Sequence, residues 1–242
     1  MAVFNICRLL AAASLVSLVL AQTKPKIMYL GDSITEITCW RPLVWANLQS
    51  AGVTNSIQFV GSMTNNPQNC VGNTGWDLHH EGHSGYLAIN IANTNLVGWL
   101  AAAKPDIIQF MLGTNDVGQG KTTTDIIAAY TKMVQEMRAS NANMKIIVDL
   151  VIPLGSGSSG ITALNNAIPA WVQGLNTTNS PIWIADSSTG FPTSDLRDGI
   201  HPNAAGDAII ASRISPVLLN AIKLALGGTG LANTAIRGIA NA

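Results

Sequence analysis

The sequence predicts an α/β protein, a three-layer α/β/α sandwich built on a central parallel sheet of about five strands. Two observations carry this prediction. Short apolar runs, typical of strands buried on both faces, alternate along the chain with longer segments in which apolar residues recur at helical spacing. Such alternation implies right-handed crossovers, and therefore a parallel sheet with helices on both faces. The length of 242 residues suits a single domain of this class.

Five apolar runs supply the predicted strands: 26–30, 57–61, 106–112, 145–151 and 181–186. The segments with helical spacing are 41–52, 94–105, 122–141 and 161–176. A last helical region, 203–226, contains Pro216, which is expected to kink or split it. The segment 62–85 is rich in Asn and Gly and is predicted to be one long loop, of a length that often carries function.

The composition excludes two kinds of protein. Hydrophobic residues make up 48% of the chain, which excludes a long disordered polar chain. The formal net charge is zero and no run of Lys or Arg occurs, so neither nucleic acid nor an anionic membrane is an expected partner.

Residues 1–21 have the pattern of a secretory signal peptide. One basic residue, Arg8, precedes about a dozen apolar or small residues, and Val19 and Ala21 fit the cleavage pattern. A buried N-terminal helix is the alternative. We therefore expect a secreted, extracellular protein with a mature domain at 22–226. The tail, 227–242, is expected to be a poorly ordered extension.

Two cysteines, Cys39 and Cys70, remain once the signal is removed. An even number in an oxidising compartment indicates a disulfide, which would close a loop of about 30 residues and stabilise the fold by roughly 3–4 kcal/mol. Two buried free thiols are the alternative. The sequon Asn176-Thr177-Thr178 makes Asn176 a candidate glycosylation site.

Ser33 is the first candidate for chemistry. It ends the tripeptide Gly31-Asp32-Ser33 directly after the first predicted strand, and ligands of open parallel sheets bind beyond the carboxyl ends of strands. Ser33 and Glu36 also fit an S-x-x-E capping box, in which both side chains accept bonds from helix N–H groups. The tripeptide alone favours the cap. A nucleophile needs a base, an orienting acid and an oxyanion hole elsewhere in the chain.

His201 is the candidate base. Asp198 precedes it by three residues, close enough for a carboxylate to fix the imidazole tautomer and stabilise the imidazolium. Taken singly, each fits an ordinary loop residue. His83 is the rival base, but its neighbour Glu81 is poorly spaced to orient it, so a structural role is expected. The pair His79 and His80 is predicted to lie on the loop surface.

An oxyanion needs preorganised hydrogen-bond donors. Asn115 follows a predicted strand end and offers a side-chain amide, while Gly85 offers a backbone N–H that no side chain obstructs. A turn asparagine and a flexible-loop glycine are the alternatives.

Four blocks of sequence therefore occur in order: Gly31-Asp32-Ser33, Gly85, Gly113-Thr114-Asn115-Asp116 and Asp198-Gly199-Ile200-His201. They resemble the four blocks of the SGNH (GDSL-type) hydrolases, whose fold is flavodoxin-like. The segments GDSITEITCWR, EGHSGY, LGTNDV and DGIHPN are similar to secreted acetylxylan esterases of carbohydrate esterase family 3. The resemblance covers about residues 25–222.

The resemblance implies a serine esterase that removes O-acetyl groups from plant cell-wall polysaccharide, above all acetylated xylan, through an acyl-serine intermediate. Ser33 would be the nucleophile, His201 the general base and then general acid, and Asp198 its orienting partner. The Ser33 N–H, the Gly85 N–H and the Asn115 amide would form the oxyanion hole. No cofactor or metal would be required for catalysis. A structural calcium ion, associated with family members, has no Asp/Glu-rich loop here to support it.

Trp40, Arg41 and Tyr86 flank these blocks and are candidates to line the substrate, with packing inside the fold as the alternative. Two other functions stay open. The same chemistry would serve a pectic acetyl ester or a short-chain acyl ester, and a non-catalytic carbohydrate-binding protein would have lost a member of the site, although none is missing. A monomer is expected.

Overall fold

The computed structural model describes residues 23–72 and 75–228. Its strands are β1 (Lys26–Gly31), β2 (Gln58–Val60), β3 (Glu81–Gly82), β4 (Ile107–Met111), β5 (Lys145–Asp149) and β6 (Ile182–Ala185). They form one wholly parallel sheet, in which five strands have the order β2-β1-β4-β5-β6 and the short sixth strand, β3, pairs with the carboxyl end of β1. The central parallel sheet of about five strands is therefore confirmed, and β3 is the unpredicted addition, since two residues leave no periodic signal.

Helices cover both faces of the sheet. They are α1 (Ser33–Glu36), α2 (Trp40–Ser50), α3 (Ala88–Asn90), α4 (Leu96–Ala103), α5 (Thr114–Gly118), α6 (Thr123–Ser140), α7 (Ser159–Leu175) and α8 (Ala204–Ala225). A π-helical turn joins α3 to α4. Side chains along β1 alternate, so that Met28 and Leu30 enter the core under α3, α4, α6 and α7, while Ile27 and Tyr29 enter the core under α2 and α8.

The sequence predicted that Pro216 would kink or split the last helix. The helix α8 runs through Pro216 without a break, so a split is wrong. Proline removes one intrahelical hydrogen bond, but the neighbouring Ile214, Val217 and Leu218 are buried against the sheet and hold the helix in place. By length and composition α8 would suffice to cross a membrane, yet half of its most apolar window is buried inside the fold, as in a core helix.

The predicted disulfide is present: Cys39 and Cys70 are bonded, with Cα atoms 5.4 Å apart. It joins the start of α2 to the long loop that follows β2. His80, predicted on the surface of that loop, is fully buried instead, because its backbone pairs with Met63 and its ring lies against the Asn65 carbonyl. The signal peptide lies outside the described residues, as does nearly all of the tail. The domain boundaries at 22 and 226 stay predictions.

Candidate active site

Ser33 lies where β1 passes directly into α1. Gly31 permits this sharp passage, because a Cβ there would approach the Thr35 hydroxyl oxygen to 2.1 Å. The N-cap of α1 is Asp32, whose Oδ1 accepts a hydrogen bond from the Ile34 N–H at 2.9 Å. The capping box considered for Ser33 and Glu36 is therefore not formed, and the Ser33 hydroxyl is available to another partner.

That partner is His201. The His201 Nε2 lies 2.8 Å from the Ser33 Oγ, and the His201 Nδ1 lies 2.7 Å from the Asp198 Oδ2. The structure thus brings three predicted residues into one hydrogen-bonded chain, although Ser33 and His201 are 168 residues apart. In this arrangement Nε2 can take the serine proton while the carboxylate holds Nδ1 protonated.

A tight loop presents Asp198 and His201. The loop closes through the bridge between Leu196 and Pro202 and through the Arg197 N–H, which donates to the His201 carbonyl. The Asp198 Oδ1 accepts from the N–H groups of Ile200 and His201. Desolvation by burial opposes these bonds, but together with the imidazole they lower the pKa of Asp198 to about 2. The carboxylate therefore stays ionised at neutral pH.

Two backbone N–H groups of the predicted oxyanion hole are unpaired. Neither the Ser33 N–H nor the Gly85 N–H has a hydrogen-bond partner within 23–72 and 75–228. Gly85 sits in a turn that the Tyr86 N–H closes onto the His83 carbonyl at 3.2 Å. Its φ of +81° fits the third position of a type II turn, which favours glycine.

The Asn115 amide, the third predicted donor, is already engaged. Its Nδ2 donates to the Tyr86 carbonyl at 3.0 Å and to the Asp32 Oδ2 at 3.2 Å. An oxyanion can therefore take this amide only by sharing or replacing one of these bonds. The contact with Tyr86 does place Asn115 directly beside the turn that carries Gly85.

Two buried carboxyl groups support this region. Desolvation by burial raises the pKa of Asp32 to about 7, with the Ile34 N–H opposing and Asp116 adding to the rise. Burial likewise raises the pKa of Asp116, whose oxygens accept from the N–H groups of Ala88 and Ile89 at the start of α3. The two carboxyl groups therefore anchor the first turns of α1 and α3.

Sequence reasoning did not find Glu36 as a member of this site. Its Oε2 accepts from the Ser84 N–H at 2.7 Å and from the Ser84 Oγ at 2.5 Å, and its Oε1 accepts from the Asn65 Nδ2 at 2.6 Å. The only signal was its place in the S-x-x-E pattern, which indicated a cap. Glu36 instead joins α1 to the turn that carries Gly85.

Two of the three candidates for substrate lining are wrong. Trp40 is fully buried, with its indole N–H on the Ile34 carbonyl and its ring edge against Tyr29. Arg41 is 1% exposed and donates to carbonyls of Glu36, Asn65 and Leu78. The packing of α2 against the sheet buries Trp40, whereas the long loop that supplies two of these carbonyls covers Arg41. Tyr86, 37% exposed, stays a candidate.

The rival base, His83, is held away from this role. Glu81, which the sequence spacing made a poor partner, does contact it, with its Oε1 at 2.7 Å from the His83 Nε2. The imidazole stacks on the Trp99 ring at a centroid distance of 4.5 Å. The serine hydroxyl has its bond to His201 instead. His83 is therefore a packed residue of the turn that carries Gly85.

No group of three or more His, Cys, Asp or Glu side chains suited to a metal occurs in the described parts of the chain. Asn176 is exposed at the end of α7, and its glycosylation stays a prediction.

Residues 29–209 match the GDSL-like Lipase/Acylhydrolase family. A Multidomain esterase of Ruminococcus flavefaciens is 28% identical over an alignment of 214 residues. This alignment covers 75% of this chain and 27% of that protein, so the chain spans about a quarter of its relative.

Two solved structures are 52% identical to this chain, with TM-scores of 0.81, and each match covers 82% of this chain and 98% of the solved chain. They are an acetyl esterase mutant with acetate ion and a carbohydrate esterase family 3 protein from Talaromyces cellulolyticus. A family 3 carbohydrate esterase from Clostridium thermocellum is 25% identical, with a TM-score of 0.71 and coverage of 83% and 98%. Esterases of this family need no cofactor for catalysis. The chain belongs to the GDSL-like lipase/acylhydrolase (SGNH) family and is an esterase of the type found in carbohydrate esterase family 3.

Proposed function

We propose that the protein is a secreted esterase that removes O-acetyl groups from acetylated xylan through an acyl-serine intermediate. The observation that carries the esterase mechanism is the chain of hydrogen bonds from the Ser33 Oγ through His201 to Asp198 at the carboxyl edge of the sheet. Support for an acetyl group comes from the 52% identity to an acetyl esterase. Support for xylan comes from the resemblance of the four sequence blocks to acetylxylan esterases.

In the acylation step the Ser33 Oγ attacks the acetyl carbonyl carbon while the His201 Nε2 takes the hydroxyl proton. The carbonyl oxygen becomes an oxyanion beside the free N–H groups of Ser33 and Gly85. The bond from carbon to the sugar oxygen then breaks, and His201 returns the proton to that oxygen, which leaves as a sugar hydroxyl. Asp198 stabilises the imidazolium while it exists.

In the deacylation step a water molecule attacks the acetyl-serine carbonyl, again with His201 as base. Collapse of the second tetrahedral intermediate releases acetic acid and returns the proton from His201 to the Ser33 Oγ. One water is consumed and one sugar hydroxyl is produced, together with one acetic acid, which ionises to acetate and a proton at neutral pH. No other group has to supply or take up electrons.

The test is release of the acid from acetylated xylan by the purified mature chain, beside acetylated pectin, a short-chain ester and a long-chain ester. Ser33→Ala should lower turnover by roughly 10⁵–10⁶ while leaving the melting temperature near that of the parent, because the truncated group is one hydroxyl. Comparable turnover in the variant would contradict the role of Ser33.

The pattern across substrates separates the alternatives. Activity on pectin or a short-chain ester with none on xylan would keep the mechanism and change the substrate. Binding to xylan without release of acetate would favour the non-catalytic carbohydrate-binding protein. Expression of the full chain followed by sequencing of the exported N-terminus would test secretion, with Gln22 as the expected first residue.

A further inference from the structure

The turn of residues 83–86, which we call the oxyanion turn, carries the Gly85 N–H. The hydrogen bond that closes this turn does not fix the peptide to which that N–H belongs. The turn runs from His83 to Tyr86, and its central peptide joins Ser84 to Gly85. Type I and type II turns differ by reversal of this central peptide, and glycine in the third position accepts both. Reversal would point the Gly85 N–H away from the site, so something outside the turn must hold the productive form.

The two ends of the turn are anchored by the sheet and by α5. The His83 N–H donates to the Gly31 carbonyl at 2.9 Å, and the Tyr86 carbonyl accepts from Asn115 at 3.0 Å. Neither contact touches Ser84 or Gly85. A Cβ added at Gly85 would meet no atom within 4 Å, so packing does not hold the central peptide.

Glu36 restrains Ser84, the residue at the start of this central peptide. It accepts two hydrogen bonds from Ser84, one from the N–H at 2.7 Å and one from the hydroxyl at 2.5 Å. It is also the last residue of α1, the helix that begins with Ser33. A Cβ at Gly82 would approach the Glu36 N to 2.8 Å, so α1 and the strand leading into the turn are in close contact. One short helix therefore carries both the nucleophile and the group that holds the oxyanion turn.

The Glu36 carboxylate is itself fixed. Its other oxygen accepts from the Asn65 Nδ2 at 2.6 Å, and the Asn65 carbonyl accepts from Arg41 at 3.4 Å. Arg41 also donates to the Glu36 carbonyl at 3.3 Å. Arg41, expected to touch substrate, instead orders the base of this arrangement.

We propose that Glu36 is a positioning residue for ester hydrolysis: by binding the N–H and the hydroxyl of Ser84 it fixes the residue from which the Ser84–Gly85 peptide leaves, so that the Gly85 N–H faces the oxyanion. The inference rests on the proposed function, because it assigns that N–H to the transition state. An oxyanion donor acts on the transition state and not on bound substrate, so its loss lowers kcat and leaves KM nearly unchanged.

The test is the kinetics of acetyl-ester hydrolysis in Glu36→Ala and Glu36→Gln. Loss of one oxyanion donor costs about 10²–10³ in kcat, and a donor that is misplaced for part of the time costs less, so Glu36→Ala should lose about 10–100-fold in kcat with little change in KM. Glu36→Gln keeps one oxygen for Ser84. Once the Asn65 amide turns over, the Gln amide can donate to the Asn65 Oδ1, which has no partner among the described residues of the parent, so most of the kcat should be recovered.

A second pair of variants tests the contact from the other side. Ser84→Ala removes one of the two bonds to Glu36 and should lower kcat by a smaller factor, while Ser84→Thr keeps the hydroxyl and should restore it. This pair decides the outcome if Glu36→Ala fails to fold. The matched control is Glu136→Ala on α6, a carboxylate paired with Lys132 at 3.9 Å, which should keep the parental kcat.

The outcomes separate the two proposals. A Glu36→Ala enzyme with kcat within twofold of the parent would overturn the positioning role, and so would a rise in KM at constant kcat. Equal losses in Ser84→Ala and Ser84→Thr would do the same. If the parent hydrolyses no ester, or Ser33→Ala keeps its activity, the proposed function itself fails.

Discussion

Two aspartates of this protein have opposite electrostatic environments. Asp198 has a side chain that is 48% exposed, and its pKa is lowered to about 2, because the bonds from His201 and Ile200 outweigh desolvation. Asp149, at the end of β5, is fully buried. Desolvation raises its pKa to about 8, although Gln109 and Ser187 donate to it.

The difference shows what each carboxyl group can do. A carboxylate stabilises an imidazolium only when it is ionised, and Asp198 is ionised throughout the range in which histidine acts as a base. Asp149 holds a proton at neutral pH and serves as a hydrogen-bonding member of the core. The residue type is the same, so burial and the number of N–H donors decide between the roles.

Of the changes that test this comparison, the largest effect is expected from Asp198→Asn, which removes the ionised carboxylate from the exposed site. An asparagine amide would donate to the His201 Nδ1, place the imidazole proton on Nε2 and leave nothing to accept the Ser33 proton. We expect a loss of roughly 10³–10⁴ in kcat, with little change in melting temperature because the side chain is half exposed. Steady-state kinetics and a thermal melt check this, and a loss below about tenfold would show that another group orients the imidazole.

Reduction of the disulfide between Cys39 and Cys70 should have the next largest effect. The disulfide ties the long loop after β2 to the start of α2. Loss of a bridge that closes about 30 residues should lower the free energy of unfolding by roughly 3–4 kcal/mol. Denaturant melts with and without reductant measure this, and a Cys39→Ser, Cys70→Ser variant serves as control. An unchanged midpoint would mean that the loop is held without the bridge.

The smallest effect of the three is expected from Asp149→Asn, which removes the titrating carboxyl group from the buried site. Asp149 ionises near its ordinary pKa when unfolded and near 8 when folded, so the folded state binds the additional proton between these values. The free energy of unfolding therefore falls as pH rises through this window.

Asparagine can accept from the Ser187 hydroxyl and, once the Gln109 amide turns over, donate to the Gln109 Oε1, but it cannot titrate. Between pH 5 and pH 7 the fall in unfolding free energy should therefore be smaller by roughly 1–3 kcal/mol in the variant. Asp32 and Asp207, with pKa values raised by burial to about 7 and about 6, preserve part of the slope. Denaturant melts at both pH values check this. An unchanged slope, or a loss of kcat, would contradict a purely structural Asp149.

Sequence reasoning located the nucleophile candidate because its signal is local. Ser33 follows an apolar run in a tripeptide at a predicted strand end, and Asp198 precedes His201 by one turn. The substrate-lining candidate Trp40 failed for a related reason. Its position beside the Ser33 block gave proximity in sequence, but the periodicity of α2 turns its ring toward the sheet. The predicted break of the last helix at Pro216 does not occur, because tertiary packing outweighs the local preference of proline.

The sequence by itself determined the long strands and helices and the sheet edge on which chemistry lies, because hydrophobic periodicity is a local property of the chain. It also supplied the residues of the Ser33, Asp198 and His201 chain, through the resemblance of four short blocks to the SGNH hydrolases. Only the tertiary structure decided that Glu36 holds Ser84 across 48 residues and that Asp149 is buried among polar partners. A side chain's partners and its pKa depend on which distant segments pack around it. Spacing along the chain does not encode that packing.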